Sequence, residues 1–81
     1  MRRAEAIRRI KGAARARALV FTDHAYDKMD SLGETVESVS IVIARARSFA
    51  AQADGTWRAF GGGLTCVVAL VDDVVVVTLF A

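Results

Sequence analysis

The chain contains no proline, one cysteine, one histidine and one tryptophan. Without proline, the breaks between elements must come from Gly, Asp and Thr, and no Pro-rich linker divides the chain. Cys66 has no second cysteine to pair with. With a single histidine beside it, no Cys/His cluster of the kind that holds structural zinc is available. Long apolar runs are missing too. The longest, Cys66 to Val71, is cut off from Val74 to Phe80 by Asp72-Asp73, far short of the roughly 18–20 residues a membrane-spanning helix needs. Met1 to Ala18 lacks the apolar middle of a secretory signal. It has the basic, acid-poor character of an organellar transit segment, but its removal would leave roughly 60 residues, where a core becomes marginal. A lone reduced thiol and no signal point to a soluble cytoplasmic protein, with no membrane, metal or cofactor called for.

What is present is a high hydrophobic share, 54% of 81 residues, enough for one folded domain and too short for two. The net charge of +2 conceals a partition. Residues 1–20 carry seven Lys or Arg against Glu5, a local +6. Residues 21–81 carry Lys28, Arg45, Arg47 and Arg58 against eight acids, a local −4. A basic segment joined to an acidic body suggests a polyanion or an acidic partner more strongly than the average charge does.

Ile7, Ile10 and Ala14 recur at helical spacing and predict a basic amphipathic helix over residues 1–18, weakened in its middle by Gly12. Leu19-Val20-Phe21 reads as a lead-in or an edge strand. Thr22 or Asp23 can cap a second helix from His24 to Leu32, and Gly33 suits its left-handed terminus. Thr35 can cap a third helix with Glu37 in its first turn, a buried stripe of Val36, Val39, Ile43 and Ala46, and Arg45 and Arg47 at its end. The period then falls from 3.6 to 2. Ser48 to Gln52 and Thr56 to Phe60 read as strands around the Asp54-Gly55 turn. Gly61 to Gly63 is a second turn. Leu64 to Val71 and Val74 to Phe80 form a hairpin about Asp72-Asp73, a poorer turn pair expected to be loose. The fold class is α+β, with two to three N-terminal helices on a three- to four-stranded antiparallel sheet in a single domain, 1–81.

Few residues can carry chemistry. His24 precedes Lys28 by four residues, so both share a helical face. A histidine moves protons near neutral pH, and a neighbouring cation steadies a phosphate. The alternative is a partly exposed residue that helps the helix start. Arg58 alternates with Trp57 and Ala59, so it shares a sheet face with Phe60. An arginine beside an aromatic on an open sheet suits a phosphate and a stacked base, unless it is merely solvated or paired with Asp54. Thr78 interrupts the valine run. If Val74, Val76 and Phe80 share its face, its hydroxyl projects from an apolar surface and needs a partner. Gly61 to Gly63 lacks the Lys-Ser/Thr of a phosphate loop, and Cys66 reads as an inert core thiol. In the basic segment, Arg2, Arg3, Arg8, Arg9 and Lys11 are candidates for nucleic-acid backbone contact. Four or five such contacts give log affinity a slope of roughly −3 against log salt.

From Phe21 to Phe80 the order of features resembles a bacterial family, domain-of-unknown-function family 4258. The carrying residues are His24-Ala25-Tyr26-Asp27-Lys28-Met29-Asp30-Ser31-Leu32-Gly33, then Val36 and Val39, Arg58, and Val76-Val77-Thr78-Leu79-Phe80. That family is distantly similar to RelE/MqsR-type ribonuclease toxins of toxin–antitoxin pairs. The resemblance implies a RelE/barnase-like fold, metal-independent cleavage of RNA and an antitoxin protein as partner. It casts His24 as proton carrier, Lys28 and Arg58 as phosphate clamps, and Thr78 as an orienting hydroxyl. Lys28 and Leu32 stand where the family has arginine, which removes a bidentate fork and one cation and leaves a weakened or inactive enzyme open. The other expectation is a non-catalytic module that dimerises or binds a partner chain through its apolar sheet, because Val74 to Val77 makes both faces of the last strand apolar.

Overall fold

The computed structural model describes residues 2–81. Three helices precede most of the sheet: α1 (Arg3–Arg15), β1 (Val20–Phe21), α2 (Asp23–Leu32), α3 (Val36–Arg45), β2 (Ser48–Ala51), β3 (Trp57–Gly61), β4 (Leu64–Leu70) and β5 (Val74–Phe80). The α+β class follows, with one correction. The sheet has five strands in the order β1-β5-β4-β3-β2, and β1 lies parallel to β5, so the sheet is mixed. Two residues pairing with a strand more than fifty positions away leave no local pattern to read.

Each helix has an identifiable start or stop. The Thr22 hydroxyl, rather than Asp23, accepts from the Ala25 amide (3.0 Å) to begin α2. Gly33 ends α2 in the left-handed region (φ 69°), where its amide and that of Glu34 reach the carbonyls of Asp30 and Met29. Thr35 and Ser38 exchange side chain-to-backbone bonds in a capping box at the start of α3. The end of α1 is less usual. Arg17 takes the left-handed position (φ 56°), while the amides of Arg17 and Ala18 reach back to Ala14 and Ala13. Glycine normally fills that site.

The helices cover one face of the sheet. Ala6, Ile10 and Ala14 of α1, all fully buried, meet Val39 and Ile43 of α3, Ala25 and Met29 of α2, and the inward side chains Phe49, Trp57, Ala59, Cys66, Val68, Val76 and Leu79. The buried stripe of α1 is therefore Ala6-Ile10-Ala14, with Ile7 at its margin. On α3 the expected Val36 stays outside, 41% exposed, while Ala46 is buried. The β3–β4 hairpin turns on Gly62 and Gly63 (φ 56° and 76°), the all-positive pair a two-residue type I′ loop requires. A Cβ on Gly62 would sit 3.1 Å from Val42, so this turn lies close under α3. The β4–β5 turn is better tied than Asp72-Asp73 suggested. The Val71 amide bonds the Asp73 carbonyl (3.1 Å), and the Arg9 guanidinium donates to the carbonyls of both Val71 and Asp72.

Candidate functional site

Among the described residues no helix covers the opposite face of the sheet, and its side chains are set by register. Arg58 pairs with Val67 and Val67 with Thr78, so the three form one row across β3, β4 and β5. The next row is Ser48, Phe60, Thr65 and Phe80. Thr78 reaches this face through a β-bulge. Val68 pairs with Val76, but Val67 pairs with Thr78, leaving Val77 as the extra residue. Upstream of the bulge Val74 and Val76 point inward; downstream Leu79 does. Thr78 therefore does not share a face with Val74 and Val76, as strict alternation would have it, but stands with Phe80 and Arg58. Four consecutive valines hide this change of phase.

Arg58 is held from two sides. Its Nε donates to Gln52 Oε1 (2.8 Å), and its guanidinium carbon lies 5.5 Å from the centre of the Phe80 ring. The ring face attracts the cation and keeps it half-buried. Asp54 is not its partner. Asp54 accepts from the amide and hydroxyl of Thr56 (3.0 and 2.6 Å), and these bonds hold its carboxyl below the ordinary carboxylate range. Gln52 Nε2 donates to the same Thr56 hydroxyl (2.8 Å). Arg58, Gln52, Thr56 and Asp54 thus form one hydrogen-bonded chain along the β2–β3 hairpin. Gln52 was not singled out in the sequence, where nothing distinguishes it from a solvated strand end.

His24 lies on the first turn of α2 and is exposed; Lys28, one turn on, is half-buried. Among the described residues neither bonds to Arg58 or Thr78. The two elements nevertheless meet at one corner. The Thr22 hydroxyl donates to the carbonyl of the bulge residue Val77 (2.7 Å), and the Thr22 amide bonds Val76 O (3.1 Å). The start of α2 is thereby docked beside Thr78.

The basic helix is not a free arm. Arg3 donates to the Phe49 carbonyl (3.0 Å) and lies over Trp57, Arg9 closes the β4–β5 turn, and Lys11 donates to the Ala46 carbonyl at the end of α3 (2.8 Å). Three of the five nominated cations therefore hold α1 to the body, leaving Arg2 and Arg8 exposed. Arg17 forks onto Glu37 with two 2.8 Å bonds. Each partner strengthens the charge of the other, raising the arginine and lowering the carboxyl. Cys66 is buried, and desolvation with the nearby Glu34 charge pushes its thiol up to about 11, which removes it as a nucleophile at neutral pH. Among the described residues no three metal-ligating side chains converge, and no helix is long and apolar enough to cross a membrane. Comparison with protein-family models, curated proteins and solved structures gives no match.

Proposed function

We propose that this chain is a toxin-like, metal-independent ribonuclease that lays RNA across the open face of its sheet. The supporting observation is the corner described above. The bond from Thr22 to the bulge carbonyl docks the first turn of α2, with His24, beside Thr78, on the sheet that also carries Arg58 and Phe80. A base stacks on Phe80 or Phe60, and the Arg58 guanidinium, its Nε already bonded to Gln52, turns its terminal nitrogens to the phosphate. The ribose 2′-hydroxyl attacks the adjacent phosphorus. The 5′-oxygen leaves with a proton, and a 2′,3′-cyclic phosphate remains. His24 takes and returns the protons, Lys28 and Arg58 balance the charge that builds on the phosphorane oxygens, and Thr78 orients the phosphate. An antitoxin protein is the partner this role requires.

The test is cleavage of a mixed-sequence RNA in the presence of chelator. Wild-type protein should cut and leave cyclic phosphate ends; His24→Ala should lose cutting while keeping its fold and its RNA affinity. Full cleavage by His24→Ala would remove His24 from the mechanism.

A second reading has its own support. Val67, Ala69, Val75 and Val77 are all only half-buried on or beside the uncovered sheet, and Phe80 is 36% exposed. In this reading the chain is a non-catalytic module whose sheet docks on a second copy or a partner chain. A concentration-dependent dimer without RNA cleavage would favour it, and a monodisperse monomer that cuts RNA would exclude it.

A further inference from the structure

We infer that the groove between α1 and α3 is a phosphate-binding site, separate from the sheet face and independent of the ribonuclease reading. The two helices run antiparallel, because Lys11 meets Ala46 at the end of α3 while Arg17 meets Glu37 at its start. Between these ties lies a concavity of about 430 Å³ lined by Arg15, Arg17, Ile41, Ala44 and Arg45. Three arginines, one from each helix and one from the turn after α1, therefore line one hollow together with Ile41 and Ala44.

The distribution of hydrogen bonds makes this more than a solvated basic patch. Arg3, Arg9 and Lys11 are engaged by carbonyl groups of the sheet and of α3. Arg15 and Arg45, both exposed, have no acceptor among the described residues. A cation in a last turn ordinarily answers the carbonyls of its own helix end. Here several of those carbonyls are already taken. Gly12, Ala13 and Ala14 accept from the backbone of Ala16, Ala18 and Arg17, Ala14 also accepts the Arg17 guanidinium, and Ala46 accepts Lys11. Arg15 and Arg45 line one hollow with no hydrogen-bond acceptor of their own among the described residues. Arg17 adds a guanidinium fixed in place by Glu37, with part of its charge offset by that carboxylate. The planar forks of Arg15 and Arg45, free of other acceptors, suit the oxygens of a phosphoryl group, and Arg17 adds charge beside them. The ligand is a phosphate borne either on an RNA backbone or on a small free anion.

The site predicts opposite effects from loss of a cation and loss of the counter-charge. We would titrate the whole protein with inorganic pyrophosphate and, separately, with a short single-stranded oligoribonucleotide, following amide shifts and affinity at several salt concentrations. The double variant Arg15→Gln/Arg45→Gln should lose pyrophosphate shifts at α1 and α3, and if RNA is the source its salt slope should flatten by about 1.4. Glu37→Gln, which frees the Arg17 fork, should tighten binding. Arg2→Gln/Arg8→Gln removes the same charge outside the groove and should leave the pyrophosphate shifts unchanged. Binding of pyrophosphate alone would identify a small anion as the ligand, and binding of the oligonucleotide through the same residues would identify RNA. Equal losses of the pyrophosphate shifts in the two double variants, or shifts absent from α1 and α3 with both probes, would overturn the site. Arg58→Ala separates this outcome from the ribonuclease reading, since it removes the sheet-face contact and leaves the groove intact.

Discussion

The two faces of the sheet are made from the same strands and ask different things of them. The inner face, from Phe49 through Trp57, Cys66 and Val68 to Leu79, is buried under three helices and holds only apolar or thiol side chains. The outer face interleaves valine and alanine with Arg58, Thr65, Thr78 and two phenylalanines, all of them at least partly accessible. Packing accounts for the first set. On the second, Arg58 is held by Gln52 and by the Phe80 ring rather than by burial in a core. The bulge at Val77 lets one strand serve both faces, because it changes which residues point inward without breaking the pairing with β4.

Shifting that phase should have the largest effect. Insertion of one alanine between Thr78 and Leu79 turns Leu79 outward and Phe80 inward, whereas deletion of Val77 only removes the bulge and keeps Thr78 and Phe80 outward. The insertion variant should lose cooperative unfolding altogether, as read by near-ultraviolet circular dichroism and a denaturant titration. An insertion variant that unfolds with a normal midpoint would show that the phase of β5 matters little. Next comes Leu79→Ala, which opens a fully buried site on the inner face and should cost about 2–5 kcal/mol in the same titration.

The single thiol compares the faces by chemistry. Because burial raises Cys66 above its ordinary 9.0 to about 11, the unfolded chain releases its proton first as pH rises. Its contribution to stability is intact below pH 9 and should fall away between pH 9 and about 11, an effect that Cys66→Ala should lack. A cysteine placed at Val67, the next residue on the outer face, should react quickly with a thiol reagent under conditions where Cys66 does not. The smallest effect is expected from Val67→Thr, within about 0.5 kcal/mol at this half-exposed position. A loss as large as that from Leu79→Ala would mean that the outer face is covered by a second copy in solution.

The helices were legible because their signals are local. Thr22, Gly33 and Thr35 each act within a few residues, and the apolar spacing of α1 and α3 locates a buried stripe to within one position. The Asp54-Gly55 and Gly62-Gly63 turns follow from conformations that few other residues adopt. Two features of the fold escaped for a shared reason. The pairing of β1 with β5 and the phase of Thr78 are settled by contacts across the whole chain, and Val74 to Val77 offers no polar residue to mark a face. The placement of the candidate residues was only partly legible. Arg58 and Thr78 proved to be row-mates on one face, but nothing in the spacing of arginines along α1 separates those bonded to carbonyls from those left free.

The attachments of α1 have a consequence for the order in which the molecule is made. Arg9 is fastened to the turn before β5, and Thr22 is fastened to β5 itself, 62 and 55 residues further along. Until those residues leave the ribosome, the first helix has no turn to hold and β1 has no strand to join. The growing chain can therefore at first pack α1 only on α3, through Ala6, Ile10 and Ala14. Only when β5 emerges do β1, the bulge and Arg9 find their partners together.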